Sequence, residues 1–170
     1  MSDDSEFDGF ALTAWPRLLW AAYLLTGDHG TAEDLAQTAL IRTYAAWSRV
    51  RRDDALAYSR KVLINLNIDR LRRRHPLEVG VDQLVVEPTT PDSAGSADER
   101  DELFRLLAGL TEREREVVVL RHYFDMSEAA VARQLRIAEG TVKSTLARAL
   151  GKLRVYAQAA DHLDSTRGQS

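Results

Sequence analysis

The chain of 170 residues contains no cysteine. This absence excludes disulfides, thiolate metal sites and cysteine nucleophiles, and it excludes redox sensing through thiols of the chain itself. Long hydrophobic runs are missing as well, because no apolar stretch approaches the roughly 18 residues that span a bilayer. The opening Met-Ser-Asp-Asp-Ser-Glu is acidic, whereas a secretory signal is first basic and then apolar. We therefore expect a cytoplasmic protein without membrane insertion.

A net positive charge is also lacking, since 26 acidic and 23 basic residues give a formal net charge of −3. The charges are distributed in blocks, however. The net charge is −6 over residues 1–41, +7 over 42–75, −7 over 76–102 and +3 over 103–170. Because screening at physiological salt acts over about 8 Å, a polyanion responds to the local +7 rather than to the total. The net charge of the whole chain therefore does not exclude nucleic-acid binding.

The first part of the chain, residues 7–75, has apolar residues at three- and four-residue spacings, which is typical of helices with one buried face. Pro16 interrupts the first run, so we expect a kink or a new helix start near it. A turn at 27–30 precedes the second helix, where Thr31 is the expected N-cap, with a carboxylate three residues later. A third helix is predicted from about Ala55 to Arg74.

Residues 76–102 differ in composition, because three of the four prolines and eight acidic residues lie there without helical periodicity. This pattern predicts a flexible acidic linker, since a structureless loop of that length is unusual inside one compact domain. Helical periodicity returns in residues 103–157, and a frayed tail is expected at 158–170. The fold class is thus all-α, with two small helical domains at 1–75 and 103–157.

Capping residues mark the helix starts in the second domain. A short helix is expected to end at Gly109. Thr111 and Glu114 then form the Thr-x-x-Glu pattern of a capping box, and Ser127 caps the helix that follows.

The most specific pattern lies at Ser127–Leu150, where two short helices flank a turn. A helix-turn-helix needs a small residue in its first helix and apolar residues in its turn and second helix, and Ala132, Val142 and Leu146 satisfy this. The outward face of the second helix presents donors for a major groove about 12 Å wide. A helical hairpin with a solvated basic face is the alternative. The expected DNA-reading residues are Thr141, Lys143, Ser144, Thr145, Arg148 and Lys152.

A group of carboxylates with one histidine lies near the first turn. Such a group could bind a metal, which would suit a hydrolase. The other histidines are remote in sequence, and a turn followed by a helix cap explains the group without a ligand. We therefore expect no catalytic residue, no metal and no cofactor. The group consists of Asp28, His29, Glu33 and Asp34.

Several stretches, in the right order, resemble the extracytoplasmic-function (ECF) sigma factors of the sigma-70 family. Residues 26–40, which begin Thr-Gly-Asp-His-Gly, resemble region 2.2, and residues 58–74 resemble regions 2.3 and 2.4. Residues 110–150 contain three stretches that resemble region 4. The Tyr-Leu-Leu-Thr-Gly-Asp at 23–28 is similar to the sigma-E-type subgroup of actinobacteria. The resemblance implies a dissociable polymerase subunit rather than an enzyme, which reads −35 and −10 promoter elements and helps to open the duplex.

The resemblance also implies roles by position. The region 2.2 helix would dock on the clamp of the largest polymerase subunit through Glu33, Asp34 and Gln37, although Glu33 and Asp34 also suit the positive helix N-terminus. Region 4 would bind the −35 element with one side and the flap of the second-largest subunit with the other. The third helix would supply phosphate anchors and amides to the −10 element. These −10 residues are Arg60, Lys61, Asn65, Asn67, Arg70, Arg72, Arg73 and Arg74.

Four positions depart from the usual family pattern. Arg136 stands where many such turns have glycine, which predicts a strained left-handed backbone. Ala138 stands where a serine cap is common, at a cost of about 1 kcal/mol. Thr145 and Leu150 stand where arginine is frequent, which leaves the −35 preference open. A free-standing helix-turn-helix regulator is the alternative function, and an anti-sigma factor is a candidate partner.

Overall fold

The computed structural model describes residues 3–74 and 97–167. Every regular element within these two ranges is helical, which confirms the all-α prediction. The described residues form two compact units, one on each side of residues 75–96. Most of the predicted acidic linker therefore lies outside the described residues.

Three helices build the first unit: α1 (Asp3–Thr26), α2 (His29–Ala45) and α3 (Ala55–Arg74). Two short 3-10 turns, Trp47–Arg49 and Arg52–Asp54, lie between α2 and α3. Each helix packs against both others, so the unit is a three-helix bundle. The expected bounds of the third helix are confirmed.

The buried faces of α1 and α2 are rich in alanine. Ala21 and Ala22 on α1, and Ala36 and Ala39 on α2, are fully buried together with Leu18. Small side chains let two helices approach closely, and the leucine fills the remaining space at normal packing density.

A buried hydrogen bond joins α2 to α3. The hydroxyl oxygens of Thr43 and Ser59 lie 2.9 Å apart. Each hydroxyl also lies within hydrogen-bond distance of the carbonyl four residues earlier in its own helix, Ala39 for Thr43 and Ala55 for Ser59. Because both hydroxyls have partners, their burial carries little desolvation penalty.

Helix α1 continues through Pro16, so the expected new helix start at this residue is wrong. Pro16 is exposed, whereas Ala14 and Leu18 on either side of it are buried. Proline inside a helix costs about 3 kcal/mol through its missing N–H and its ring. Burial of the neighbouring side chains offsets that cost and keeps the helix continuous.

The N-cap of α2 is Asp28 and not Thr31, so the predicted cap is wrong. Asp28 has an extended backbone, and its Oδ2 accepts hydrogen bonds from the Thr31 backbone N–H (2.8 Å) and hydroxyl (2.7 Å). The threonine is therefore a donor to the cap. Gly27 precedes Asp28 with φ 66°, the left-handed conformation that ends many helices.

The second unit contains α4 (Ala97–Ala108), α5 (Glu112–Val118), α6 (Glu128–Leu135) and α7 (Glu139–Arg167). A π-helical turn, Val119–Tyr123, follows α5 directly.

Two of these helices are longer than the sequence pattern predicted. Helix α4 includes residues 97–102, which were assigned to the linker. Helix α7 includes residues 158–167, which were assigned to a frayed tail, because Ala157-Gln-Ala-Ala160 has a high helix propensity.

The core of the second unit joins α5, α6 and α7. Leu110, Leu120, Val131 and Val142 are fully buried. The predicted capping box is confirmed: the Thr111 hydroxyl accepts from the Glu114 N–H (3.1 Å), and Glu114 Oε2 accepts from the Thr111 N–H (3.0 Å). The predicted cap at Ser127 is also confirmed, since its hydroxyl accepts from the N–H of Ala130 (3.1 Å).

The ring of Tyr156 lies directly against the backbone of Gly109. A side chain at this glycine would collide with that ring. A larger residue at this position would have to displace the ring of Tyr156, which is 40% exposed.

Candidate nucleic-acid interface

Helices α6 and α7 form the predicted helix-turn-helix, with a sharp turn between them. Arg136 has φ 55° and ψ 46°, so the predicted left-handed backbone is confirmed. The N–H of Ile137 donates to the Ala132 carbonyl (3.1 Å), which closes the end of α6. Ala138 precedes α7 and accepts from the N–H groups of Thr141 and Val142 through its carbonyl, but it has no side-chain acceptor for them.

The buried and exposed faces of α7 follow helical spacing. Val142, Leu146 and Ala149 are buried against the rest of the unit. Four of the six expected DNA-reading residues share the exposed side of the same stretch, where they are available to a major groove. These four residues are Thr141, Lys143, Ser144 and Arg148.

The structure removes Thr145 from the exposed face, because its side chain is only 1% exposed. Thr145 is three residues after Val142 and four before Ala149, and this spacing places it on the core side. Its hydroxyl oxygen lies 3.4 Å from Nη2 of Arg148, which donates to it. The threonine therefore contacts an expected DNA-reading residue, and its own assignment to base reading was wrong.

Lys152 is also engaged inside the unit. Its Nζ lies 2.8 Å from Oε2 of Glu114, whose carboxylate is buried. Burial alone would raise the pKa of Glu114. The hydrogen bonds from Lys152 and from the Thr111 N–H, together with the charge of Arg148, outweigh burial and hold this pKa below its ordinary value. Lys152, whose side chain is 41% exposed, thus has an acidic partner inside the unit.

Helix α3 carries the expected −10 residues at different depths. Lys61, Asn65 and Arg72 are exposed at spacings that place them on one face. Arg73 and Arg74 are exposed at the end of the helix, and Arg60 is half-buried. Tyr58, which was not predicted from the sequence, is exposed three residues before Lys61 on the same face. An exposed aromatic ring beside basic and amide groups would have been the available signal.

Asn67 does not lie on that exposed face, so its assignment to base reading was wrong. Its side chain is 1% exposed, on the side of α3 that packs into the bundle. Its Oδ1 accepts hydrogen bonds from Nε (3.3 Å) and Nη2 (3.0 Å) of Arg70, which is itself half-buried. The structure therefore separates this pair from Lys61 and Asn65.

Helix α2 presents the expected polymerase-contact residues. Asp34 and Gln37 are exposed, whereas Glu33 is half-buried and lies 3.0 Å from Nε2 of His29. Ile41, which was not predicted from the sequence, lies four residues after Gln37 on the same face and is 67% exposed. It adds apolar area beside the polar side chains of Asp34 and Gln37.

Two of the carboxylates near the first turn have partners within the first unit. Asp28 caps α2, and Glu33 pairs with His29. In the described ranges, no three side chains of histidine, aspartate or glutamate are grouped so that they could hold a metal ion. No helix in these ranges is long and apolar enough to cross a membrane.

Two helical units, the second of which contains a helix-turn-helix, define the class of protein: an all-α protein with the helix-turn-helix of DNA-binding transcription proteins. The chain matches the family models for sigma-70 region 2 over residues 13–76 and for sigma-70 region 4 over residues 100–153.

Full-length relatives agree with these matches. The RNA polymerase sigma-E factor of Streptomyces avermitilis is 40% identical, over 92% of this chain and 87% of the relative. The sigma-E factor of Streptomyces coelicolor is also 40% identical, over 95% and 91%. The ECF RNA polymerase sigma factor SigL of Mycobacterium tuberculosis is 36% identical, over 83% of each chain. The sigma factor RpoE of Bartonella quintana, solved with the anti-sigma factor NepR, aligns with a TM-score of 0.60 at 25% identity, over 89% of this chain and 96% of that chain.

The chain therefore belongs to the sigma-70 family, in its ECF branch. The predicted resemblance to sigma-E-type factors is confirmed. The family consists of transcription initiation factors rather than catalysts. A free-standing regulator is not supported, because the region 2 match covers the first unit.

Proposed function

We propose that this alternative sigma factor recruits core RNA polymerase and holds a promoter at two points, with α3 at the −10 element and α7 at the −35 element. One observation carries the proposal. Each family-matched unit exposes, on a single helix, basic side chains together with uncharged hydrogen-bonding groups: hydroxyls on α7, and an amide and a phenol on α3. Phosphate oxygens and base edges require this combination of groups.

At the −35 element, the exposed face of α7 enters the major groove. Arg148 suits bidentate contact with a guanine, and Ser144 and Thr141 can bond to any base edge or to phosphate. Lys143 is an anchor for the phosphate backbone. Its Nζ lies 3.9 Å from Oε2 of Glu128, which is a loose pair that a phosphate can replace.

At the −10 element, α3 receives DNA that has been melted. Tyr58 offers a ring on which an unpaired base can stack, and Asn65 can bond to the edge of that base. Lys61 and Arg72 flank them and anchor the strand through its phosphates. Their common exposure on α3 supports this division of roles.

The face of α2 with Asp34, Gln37 and Ile41 docks on the clamp of the largest polymerase subunit. Its negative charge suits a basic partner, and the isoleucine supplies apolar area at the contact. Region 4 contacts the flap of the second-largest subunit with a surface other than its DNA face. The similar RpoE was solved in complex with an anti-sigma factor, which supports an anti-sigma factor as a candidate partner of this chain. Such a partner would inhibit by covering the polymerase-binding faces. The site of action is the cytoplasm, where polymerase and promoters meet.

Run-off transcription with purified core polymerase and genomic DNA fragments tests the proposal. We expect a discrete start site that depends on the added protein. The Lys61→Ala/Arg72→Ala variant should impair promoter opening more than recruitment, whereas Arg148→Ala should weaken dependence on the −35 element. Absence of core binding, or of any specific start on every fragment, would contradict the proposal.

A further inference from the structure

The side chain of Glu114 joins the first turn of α5 to the recognition helix α7. Its carboxylate is buried, and Oε2 accepts hydrogen bonds from the backbone N–H of Thr111 (3.0 Å) and from Nζ of Lys152 (2.8 Å). One oxygen atom therefore completes the capping box and also ties the two helices together. The position of this oxygen is well defined, because the cap holds it against the backbone.

Lys152 lies one turn beyond Arg148 on α7, and only Lys152 bonds to the Glu114 carboxylate. Nη2 of Arg148 donates to the hydroxyl of Thr145 at 3.4 Å. The positive charge of Arg148 also contributes to the lowered pKa of Glu114. Arg148 therefore has a hydrogen-bond partner on its own helix, one turn before the lysine that ties α7 to α5.

The buried side chains of Val142, Leu146 and Ala149 determine which face of α7 is turned inward. A charge-assisted hydrogen bond from Lys152 to a fixed oxygen adds a contact with a preferred direction. Base recognition requires side chains to be held to within about 0.5 Å, so a directional bond of this kind affects DNA reading.

We propose that Glu114 is a positioning residue for −35 recognition: through Lys152 it fixes the rotation of α7, and with Thr145 it directs Arg148 toward the DNA. The inference rests on the proposed −35 role of α7. It also assigns Lys152 a function other than binding phosphate.

The informative measurement is how strongly the reconstituted holoenzyme prefers a promoter with an intact −35 element. Transcription is compared on a promoter mapped by run-off and on the same promoter with its −35 element scrambled. A simple loss of stability lowers the signal from both templates, whereas misdirection of α7 lowers their ratio. Glu114→Gln keeps an acceptor for the cap but removes the charge, and Lys152→Met keeps the aliphatic stem but removes the ammonium group.

We expect each single variant to lower the ratio by roughly 3- to 10-fold, and the double variant to be no worse than either one, because both remove the same bond. Arg113→Gln is the matched control. It removes one positive charge and an ion pair to Glu116 (3.3 Å) from the same unit, and it should leave the ratio unchanged.

Three outcomes would overturn the inference or its basis. A wild-type ratio in Glu114→Gln and Lys152→Met, with a lowered ratio in Arg148→Ala, would refute the positioning role and leave the −35 assignment intact. Equal losses on both templates in Lys152→Met alone, with unchanged amide hydrogen exchange of α5 and α7, would make Lys152 a phosphate contact and refute the positioning role. An unchanged ratio in Arg148→Ala would refute the −35 assignment itself. If Glu114→Gln fails to fold, Lys152→Met still provides the test, because it leaves the capping box intact.

Discussion

Arg52 ties the start of α1 to the loop between α2 and α3, and replacing it tests how the first unit is held together. Its Nε donates to Glu6 (2.9 Å), and its Nη2 donates to Asp3 (3.2 Å). Its Nη1 donates to the carbonyl oxygens of Trp47 (2.7 Å) and Val50 (3.2 Å). The guanidinium carbon also lies 4.2 Å from the centre of the Trp47 ring.

The magnitude follows from these contacts. The Arg52 side chain is 40% exposed, so each contact is taken at the low end of its range. Two charge-assisted bonds to carbonyls contribute about 0.5–1 kcal/mol each, the cation–π contact about 0.5–1 kcal/mol, and the two exposed ion pairs a few tenths each. Arg52→Ala should therefore lower the free energy of unfolding of the first unit by about 2–3 kcal/mol. Asp3→Asn/Glu6→Gln should cost only about 0.5–1 kcal/mol, and high salt should remove that difference.

Urea unfolding followed by tryptophan fluorescence measures this effect, because Trp15, Trp20 and Trp47 are the only tryptophans of the chain and all lie in the first unit. Arg52→Lys is the control: it keeps the charge but loses the planar fork, and it should show an intermediate loss. A loss below about 0.5 kcal/mol in Arg52→Ala would refute the reasoning, since surface changes without structural contacts fall in that range. A double-variant defect that persists unchanged in 1 M salt would refute the electrostatic part.

Three further predictions concern the second unit, where amide hydrogen exchange of α5 and α7 reports stability. Gly109→Ala should destabilise it by no more than about 1 kcal/mol, because the methyl group displaces the partly exposed ring of Tyr156, and in a Tyr156→Ala background the same change should cost less. The pKa of Glu114 is lowered in the folded chain, so its ionised form stabilises the unit above the unfolded pKa of about 4.3 and loses this contribution as the pH falls through the folded pKa. Wild type and Glu114→Gln should therefore differ most at pH 7 and converge in acid. Arg136→Gly should raise stability by about 0.5–1 kcal/mol, because glycine adopts the left-handed backbone without strain.

The helical fold could be predicted from the sequence because the patterns that specify it involve residues close together in the chain. Apolar residues at three- and four-residue spacings define α3 with its observed bounds, and the Thr111 capping box and the Ser127 cap need only a few neighbouring residues. The left-handed turn at Arg136 was also accessible, because the motif requires that backbone whatever residue occupies it. Helix ends were harder to predict, because α4 and α7 extend through segments whose composition alone suggested irregular structure.

The wrong assignments in the candidate site concern two kinds of polar residue. One kind bonds to a partner that is distant in sequence, and the other lies on a buried face of its helix. Lys152 and Glu114 are 38 residues apart, so their bond could not be read from either local stretch. Thr145 and Asn67 were assigned outward because they are polar, but each lies on a buried face. Helical spacing from Val142 would have corrected Thr145. The bond between Asn67 and Arg70 required knowledge of which face of α3 meets the bundle.

The bond between Lys152 and Glu114 affects how much each unit is expected to contribute to promoter affinity. With Lys152 bonded to Glu114, α7 presents two of its three expected cations to DNA, Lys143 and Arg148. Each phosphate contact releases about 0.9 counterions, so a surface with so few cations gives modest affinity and a shallow salt dependence on its own. A second DNA contact through α3 of the same chain raises the effective concentration of α7 at the promoter without any new bond. Under the proposed division of roles, affinity at the −35 element depends on engagement at the −10 element, and we expect a substitution in either unit to weaken promoter binding by both.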